Sequence, residues 1–228
     1  MSPTTTRDAA KERTRVLVLH HADACFRELG FDAATIKIIA ERAGVSVGSV
    51  MSVGDKQALL VASFDRAIAE RHDQQATDLQ AIGAENDTED LAERLAALVT
   101  PFITLFATDP VLSRRYAAIL VSGAHESELF KSLATTLKLT FASVLHANNV
   151  VSAAAQNPLT PRPNRAATPP ASSRATQLAD ALYYAYLGVL FSATGSKSDA
   201  TGSELAGQLA ADVARVFRAI LETNGAGQ

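Results

Sequence analysis

The sequence predicts an all-α protein with a three-helix amino-terminal domain over residues 1–55 and a larger helical body over residues 56–228. Three observations carry that prediction. Apolar residues recur three and four apart in segment after segment, with no alternation of strand-like and helix-like stretches. Residues that start and stop helices stand at the segment edges: Thr35, Ser46, Asp55 and the pair Asp109-Pro110 ahead, Gly30, Gly44 and Gly123 behind. Alanine is abundant, aromatic residues make up 6% and tryptophan is absent, a bias that favours closely packed helices. With 228 residues, 47% of them hydrophobic, the chain can bury a substantial core.

Residues 1–12 read as a mobile polar arm. Arg7, Lys11, Arg13 and Arg15 either lie along a nucleic-acid backbone or minor groove, as such arms do, or belong to a solvated tail and first helical turn. The arm lacks the apolar run of a secretory signal, and the single cysteine, Cys25, excludes an intrachain disulfide and a cysteine-based zinc site. Both point to a reducing cytoplasm. A helix over residues 13–29 places Val18, Ala22, Cys25, Phe26 and Leu29 on one face, so Cys25 reads as a buried structural thiol. Gly30 ends that helix and Phe31 turns back to the core.

The stretch TIKIIAERAGVSVGSVMSVGDKQALL, residues 35–60, comes next. Its two short apolar-periodic segments, 36–43 and 47–53, are separated only by Gly44, Val45 and Ser46, so two helices joined there must cross steeply. Thr35 and Ser46 can each cap one helix by accepting hydrogen bonds from first-turn amides. Gly44 stands where a left-handed backbone is usual. In such a helix-turn-helix the second helix can enter the DNA major groove while the first crosses above it. Val50 and Val53 supply that helix with a buried side, while Val47, Gly48, Ser49 and Ser52 keep the other side slim and weakly polar. Ser46 can place amides against a phosphate, and Lys37 and Lys56 are the charges best placed to hold the duplex backbone.

These residues resemble the DNA-binding end of the TetR family of bacterial transcriptional regulators. The family pattern is roughly a threonine, three residues, Ile-Ala, three residues, then Gly-Val-Ser-x-Gly-x-Leu-Tyr-x-His-Phe-x-x-Lys-Glu-x-Leu. Thr35, Ile39, Ala40, Ala43, Gly44, Val45, Ser46, Gly48, Lys56, Leu59 and Leu60 follow it in order. The Leu-Tyr-x-His-Phe segment is replaced by Val50, Met51, Ser52, Val53 and Gly54, and one residue is missing between Gly48 and Lys56. The family's tyrosine and histidine usually bond to the DNA backbone, so two of its contacts are absent here.

Asp55 caps a long helix from about Lys56, with Leu60, Phe64, Ala67, Ile68 and Arg71 at helical spacing. Residues 83–88 read as a turn and the next helix starts near Thr88. Its apolar positions Leu91, Leu95, Leu98 and Val99 continue past Pro101, which bends the axis, to Phe102, Leu105 and Phe106. Asp109-Pro110 starts a further helix that Gly123 closes. A helix over 125–147 carries Leu129, Phe130, Leu133, Leu137, Phe141, Val144 and Leu145. Residues 152–173 hold five of the eight prolines among polar and small residues and read as a flexible connection. Two helices close the chain, over 177–193 and 204–221. The second repeats apolar residues at Leu205, Leu209, Val213, Val216, Phe217 and Ile220, so the pair forms a subunit interface or is buried within the monomer. The uncharged stretch 181–196 is too short and polar to span a membrane.

Phe102, Phe106, Tyr116, Leu120, Phe141, Tyr183 and Tyr184 offer aromatic and apolar surface for a small-molecule pocket or, taken singly, for the core. Net charge is −3. Residues 1–56 hold eight basic and seven acidic side chains, a net of +1, which leaves −4 on the remainder. The amino-terminal part is the less acidic end but no polybasic patch.

Catalytic readings find little support. Gly44-Val45-Ser46-Val47-Gly48 matches the Gly-x-Ser-x-Gly nucleophile elbow, but that motif needs a preceding strand and the pattern there is helical. His20, His21, His72, His125 and His146 lack Glu-x-x-His or His-x-x-x-His spacing. Neither metal nor cofactor is expected, nor an enzyme.

The resemblance implies a helix-turn-helix DNA-binding domain followed by a ligand-binding and dimerisation domain whose last two helices pair across subunits. It implies a homodimeric repressor, released from a palindromic operator by a small-molecule inducer. Thr35, Lys37, Ser46 and Lys56 would meet phosphates, with Val47, Gly48, Ser49 and Ser52 nearest the bases. The alternative is a helical ligand-binding or protein-interaction module that has lost sequence-specific DNA binding.

Overall fold

In the computed structural model, which describes residues 3–81, 90–148, 171–193 and 202–224, every regular element is an α-helix. The described helices are α1 (Pro3–Ala33), α2 (Ile36–Ala43), α3 (Val47–Val53), α4 (Lys56–Ala81), α5 (Leu91–Ala97), α6 (Thr100–Thr108), α7 (Pro110–Ser122), α8 (Glu128–Ala147), α9 (Ala171–Ala193) and α10 (Gly202–Thr223). The all-α class is the one the sequence predicts. The expected turn at 83–88, the helix start near Thr88 and residues 152–170 of the expected flexible connection lie outside the described residues.

Several boundaries differ from expectation. α1 begins at Pro3, so the expected arm over residues 1–12 is helical from there on. A proline suits the first helical turn, and Ala9, Ala10, Lys11 and Glu12 are good helix formers. Gly30 breaks the helical dihedrals, with φ 78° and ψ 159°, before a last short turn. The axis between α5 and α6 bends by 50°. The break falls just ahead of Pro101, which has no N–H to donate back to the Ala97 carbonyl. α8 starts at Glu128 rather than near His125, and α9 at Ala171 rather than Gln177.

The chain divides into two compact units: Met1–Ala76 with Asp109–Leu129, and Thr77–Thr108 with Phe130–Gln228. In the first, α1 packs on α2, α3 and α7, and α2 packs on α3. Val18, Ala22, Cys25 and Phe26 of α1 are buried, as are Ile39 of α2 and Val50 of α3. The ring of Phe64 on α4 stacks on that of Tyr116 on α7, with centroids 4.6 Å apart. In the second unit α10 packs against α5, α6 and α9, burying Leu205, Leu209, Val213, Phe217 and Leu221 along a row with four-residue spacing. Phe141 of α8 meets Phe217 edge-on at 5.6 Å. Arg218 reaches the Asp90 carboxylate, which caps α5, and Glu93 at 3.2 Å.

Candidate nucleic-acid interface

The reading head is positioned by its caps. Thr35, extended at φ −114° and ψ 156°, accepts through Oγ1 from the Ile38 amide at 3.2 Å and so starts α2. Gly44 ends α2 at φ 65° and ψ 30°, a left-handed conformation that a Cβ would disfavour, and its N–H is directed to the Ala40 and Glu41 carbonyls. Two residues later Ser46 Oγ accepts from the Ser49 amide at 3.0 Å and starts α3. Gly54 is extended, at φ 166°, and is required for a different reason: a Cβ there would lie 2.8 Å from the Ala58 Cβ. Asp55 then accepts from the Ala58 amide at 2.8 Å at the start of α4.

This arrangement turns Val50 inward, fully buried, and leaves Val47 48% and Met51 50% exposed on the outward side. Gly48 and Ser52 are exposed beside them, and Ser49 and Val53 are half-buried. The hydroxyls are partly committed within the motif. Ser52 Oγ donates to the Ser49 carbonyl at 2.7 Å, and the Ser46 and Ser49 oxygens share a hydrogen bond of 2.9 Å. Thr35 and Ser46, both exposed, have their oxygens occupied as caps. Met51 is absent from the sequence-based set, although its place four residues after Val47 signals the same face.

The two lysines differ. Lys37 is exposed, its side chain 80% accessible and its ammonium 3.9 Å from the Glu41 carboxylate. Lys56 is half-buried: its ammonium donates to the Asp32 carbonyl at 3.2 Å and stands 4.4 Å from the Phe31 ring centre. Arg115 of α7 lies over the same ring at 5.1 Å and donates to both Asp32 carboxylate oxygens at 2.8 and 3.0 Å. Behind the head, the half-buried Asp65 of α4 accepts from Ser127 Oγ at 2.8 Å and the Tyr116 hydroxyl at 3.2 Å. Burial raises its carboxyl above the ordinary range, although both hydrogen bonds pull it down. His125 Nε2 lies 3.2 Å from Asp55. Periodicity and local motifs gave no signal for these partners.

The expected pocket residues fall in both units. Tyr116, fully buried, and Leu120, half-buried, are in the first. Phe102, Phe106, Phe141 and Tyr183, all buried, are in the second with the 62% exposed Tyr184. Lys138 of α8 lies over the rings of Tyr183 and Tyr184 at 5.0 and 4.6 Å and pairs with Asp180 at 3.0 Å. Burial pushes the Tyr183 hydroxyl up to about 12. Of the expected interface positions, Leu205, Leu209, Val213 and Phe217 are buried within the chain, while Val216 and Ile220 are half-buried. Gly44-Val45-Ser46-Val47-Gly48 forms the turn into α3, and no strand precedes it among the described residues.

Two capped helices across a three-residue turn, the second with an exposed face, define a helix-turn-helix DNA-binding domain. Residues 18–62 match the family model described as "Bacterial regulatory proteins, tetR family". Two solved structures are similar. One, described as a TetR-family transcriptional regulator from Mesorhizobium loti, is 16% identical, with a TM-score of 0.53 over 92% of this chain and 97% of that one. The other is Thermus thermophilus FadR, a TetR-family transcriptional repressor in complex with lauroyl-CoA, 16% identical, with a TM-score of 0.51 over 87% of this chain and 92% of that one. No curated protein matches. Residues 18–62 thus match the TetR-family helix-turn-helix domain, and the chain has the fold of TetR-family transcriptional regulators. No single described helix is long and apolar enough to cross a membrane; the pair α5–α6 reaches that length and composition only across its bend.

Proposed function

We propose that the protein is a cytoplasmic, homodimeric transcriptional repressor that binds a palindromic operator and leaves it when a small-molecule inducer binds. The observation that carries this reading is the outward face of α3 within a TetR-type domain. Residues 1–55 read DNA, and residues 56–228 bind ligand and dimerise. Each subunit sets α3 into one major-groove half-site, with Thr35, Lys37, Ser46 and Lys56 on phosphates and Val47, Gly48, Ser49 and Ser52 toward the bases. Lys56 takes up its contact by turning from the Asp32 carbonyl. The subunits pair through α9 and α10, where Val216 and Ile220 are half-buried and Ala181, Tyr184, Gly188 and Ala211 are exposed. The inducer has apolar or aromatic character, to suit Phe102, Phe106, Phe141 and Tyr183; the lauroyl-CoA of the Thermus protein has such a part. It acts by binding more tightly to an arrangement whose reading heads no longer match the half-site spacing. No catalytic step is assigned.

Fluorescence anisotropy on the DNA flanking the protein's own gene, across a salt series and against an unrelated duplex, tests this. Tight, salt-sensitive binding that prefers the native flank is expected. Lys37→Ala should weaken binding to both duplexes and reduce the salt slope by about 1. Equal, weak binding to every duplex tried would favour a second reading, a ligand-binding or protein-interaction module without specific DNA binding. That reading is favoured by the replacement of the family's Tyr-x-His segment by Met51, Ser52 and Val53.

A further inference from the structure

We infer that α3 selects its DNA by apolar contact with pyrimidine C5-methyl groups in the major groove, with Val47 and Met51 as the specificity-determining side chains. The inference rests on the regulator reading above and concerns what the reading helix recognises.

Val47 and Met51 lie four residues apart, so they adjoin on one helix face, and each has about half of its surface in water: 48% and 50%. Between them Gly48 adds no bulk; a Cβ built there would meet only Ser46 Oγ, at 3.8 Å. Direct readout of guanine takes arginine or lysine, readout of adenine takes asparagine or glutamine, and readout of cytosine takes a carboxylate. The helix, Val-Gly-Ser-Val-Met-Ser-Val, holds none of them. Its polar groups are hydroxyls, which pair with more than one base: Ser52 donates its hydrogen to the Ser49 carbonyl, and of Ser49 and the capping Ser46 one donates to the other, which leaves a single hydroxyl hydrogen uncommitted between the two. What an apolar face can recognise in the major groove is the C5-methyl group of thymine, or that of 5-methylcytosine at the same position. Burying a side chain against a methyl removes apolar surface from water on both sides, and the unbranched thioether of Met51 can adapt to its position. The inward side of the helix, through Val50, stays with the core.

The test begins by selecting duplexes with the full-length protein from a randomised pool. The best duplex is then remade with deoxyuridine at every thymidine, which deletes the methyl groups and keeps every base-pairing and groove hydrogen-bonding group. Affinity at fixed salt should fall about fourfold for each contacted methyl. The ratio between the thymidine and deoxyuridine duplexes should shrink toward one in Val47→Ala and Met51→Ala, whose side chains are exposed and outside the core. At a sensitive position a 5-methylcytosine·guanine pair should bind more tightly than a cytosine·guanine pair, and equal binding of the two would overturn methyl readout there. Equal affinity for the thymidine and deoxyuridine duplexes would overturn methyl readout while leaving the regulator standing. So would a ratio undiminished in both variants, because DNA shape would then be its source. Failure to enrich any duplex would sink the regulator reading and this inference together.

Discussion

α3 has seven residues and buries one side chain, Val50, whereas α10 has 22 residues and buries Leu205, Leu209, Val213, Phe217 and Leu221 along a single row. The short helix has little burial to hold it, because the outward face proposed for recognition, with Val47 and Met51, stays in solvent. Its position comes from main-chain chemistry at both ends: Ser46 and Gly44 before it, Gly54 and Asp55 after it. The long helix is held by apolar area. A recognition surface and a structural core therefore fail in different ways, and substitutions can separate them.

The largest effect is expected in the body. Phe217→Ala removes a fully buried ring that Phe141 meets edge-on, and should cost about 3–5 kcal/mol in chemical denaturation. A loss under 1 kcal/mol would mean that α10 is not the centre of its unit. A smaller loss is expected at the head. Gly54→Ala forces its new methyl against the Ala58 Cβ and should cost about 1–3 kcal/mol, with DNA affinity falling more than stability because α3 is re-aimed. Unchanged affinity would show that the turn tolerates the shift.

The smallest effect sharpens the comparison through pH. Asp65 has its carboxyl raised by burial, so the fold favours its protonated form. Its contribution to stability is complete below the ordinary carboxylate value of about 4 and is lost as pH rises through the raised one. Asp65→Asn should remove that step, so the denaturation midpoint of the variant should gain on that of the wild type across this window. A constant difference would take Asp65 out of the pH response.

The head was the more legible region because its determinants are local. Thr35, Ser46, Asp55 and Asp109 each act on the amide three residues further on, within reach of a sequence pattern. Gly44 likewise announces its own backbone. Longer-range partners left no such trace: Arg115 meets Asp32 across 83 positions, and Asp65 meets Tyr116 and Ser127 across 51 and 62. The row from Leu205 to Phe217 illustrates another limit. Its period reveals an apolar face, but periodicity does not say what covers it, and α5, α6 and α9 of the same chain pack there. The amino-terminal segment is helical where a mobile arm was expected, because basic, polar residues suit a solvated helix as well as an unstructured tail.

Cys25 is the chain's one thiol and is wholly enclosed in the first unit, with burial pushing its pKa up. It is therefore a built-in clock for opening of the head. A thiol reagent can react only when α1 parts from its neighbours, so the labelling half-time reports how often that happens, without any introduced probe. Operator DNA that clamps the head would lengthen the half-time.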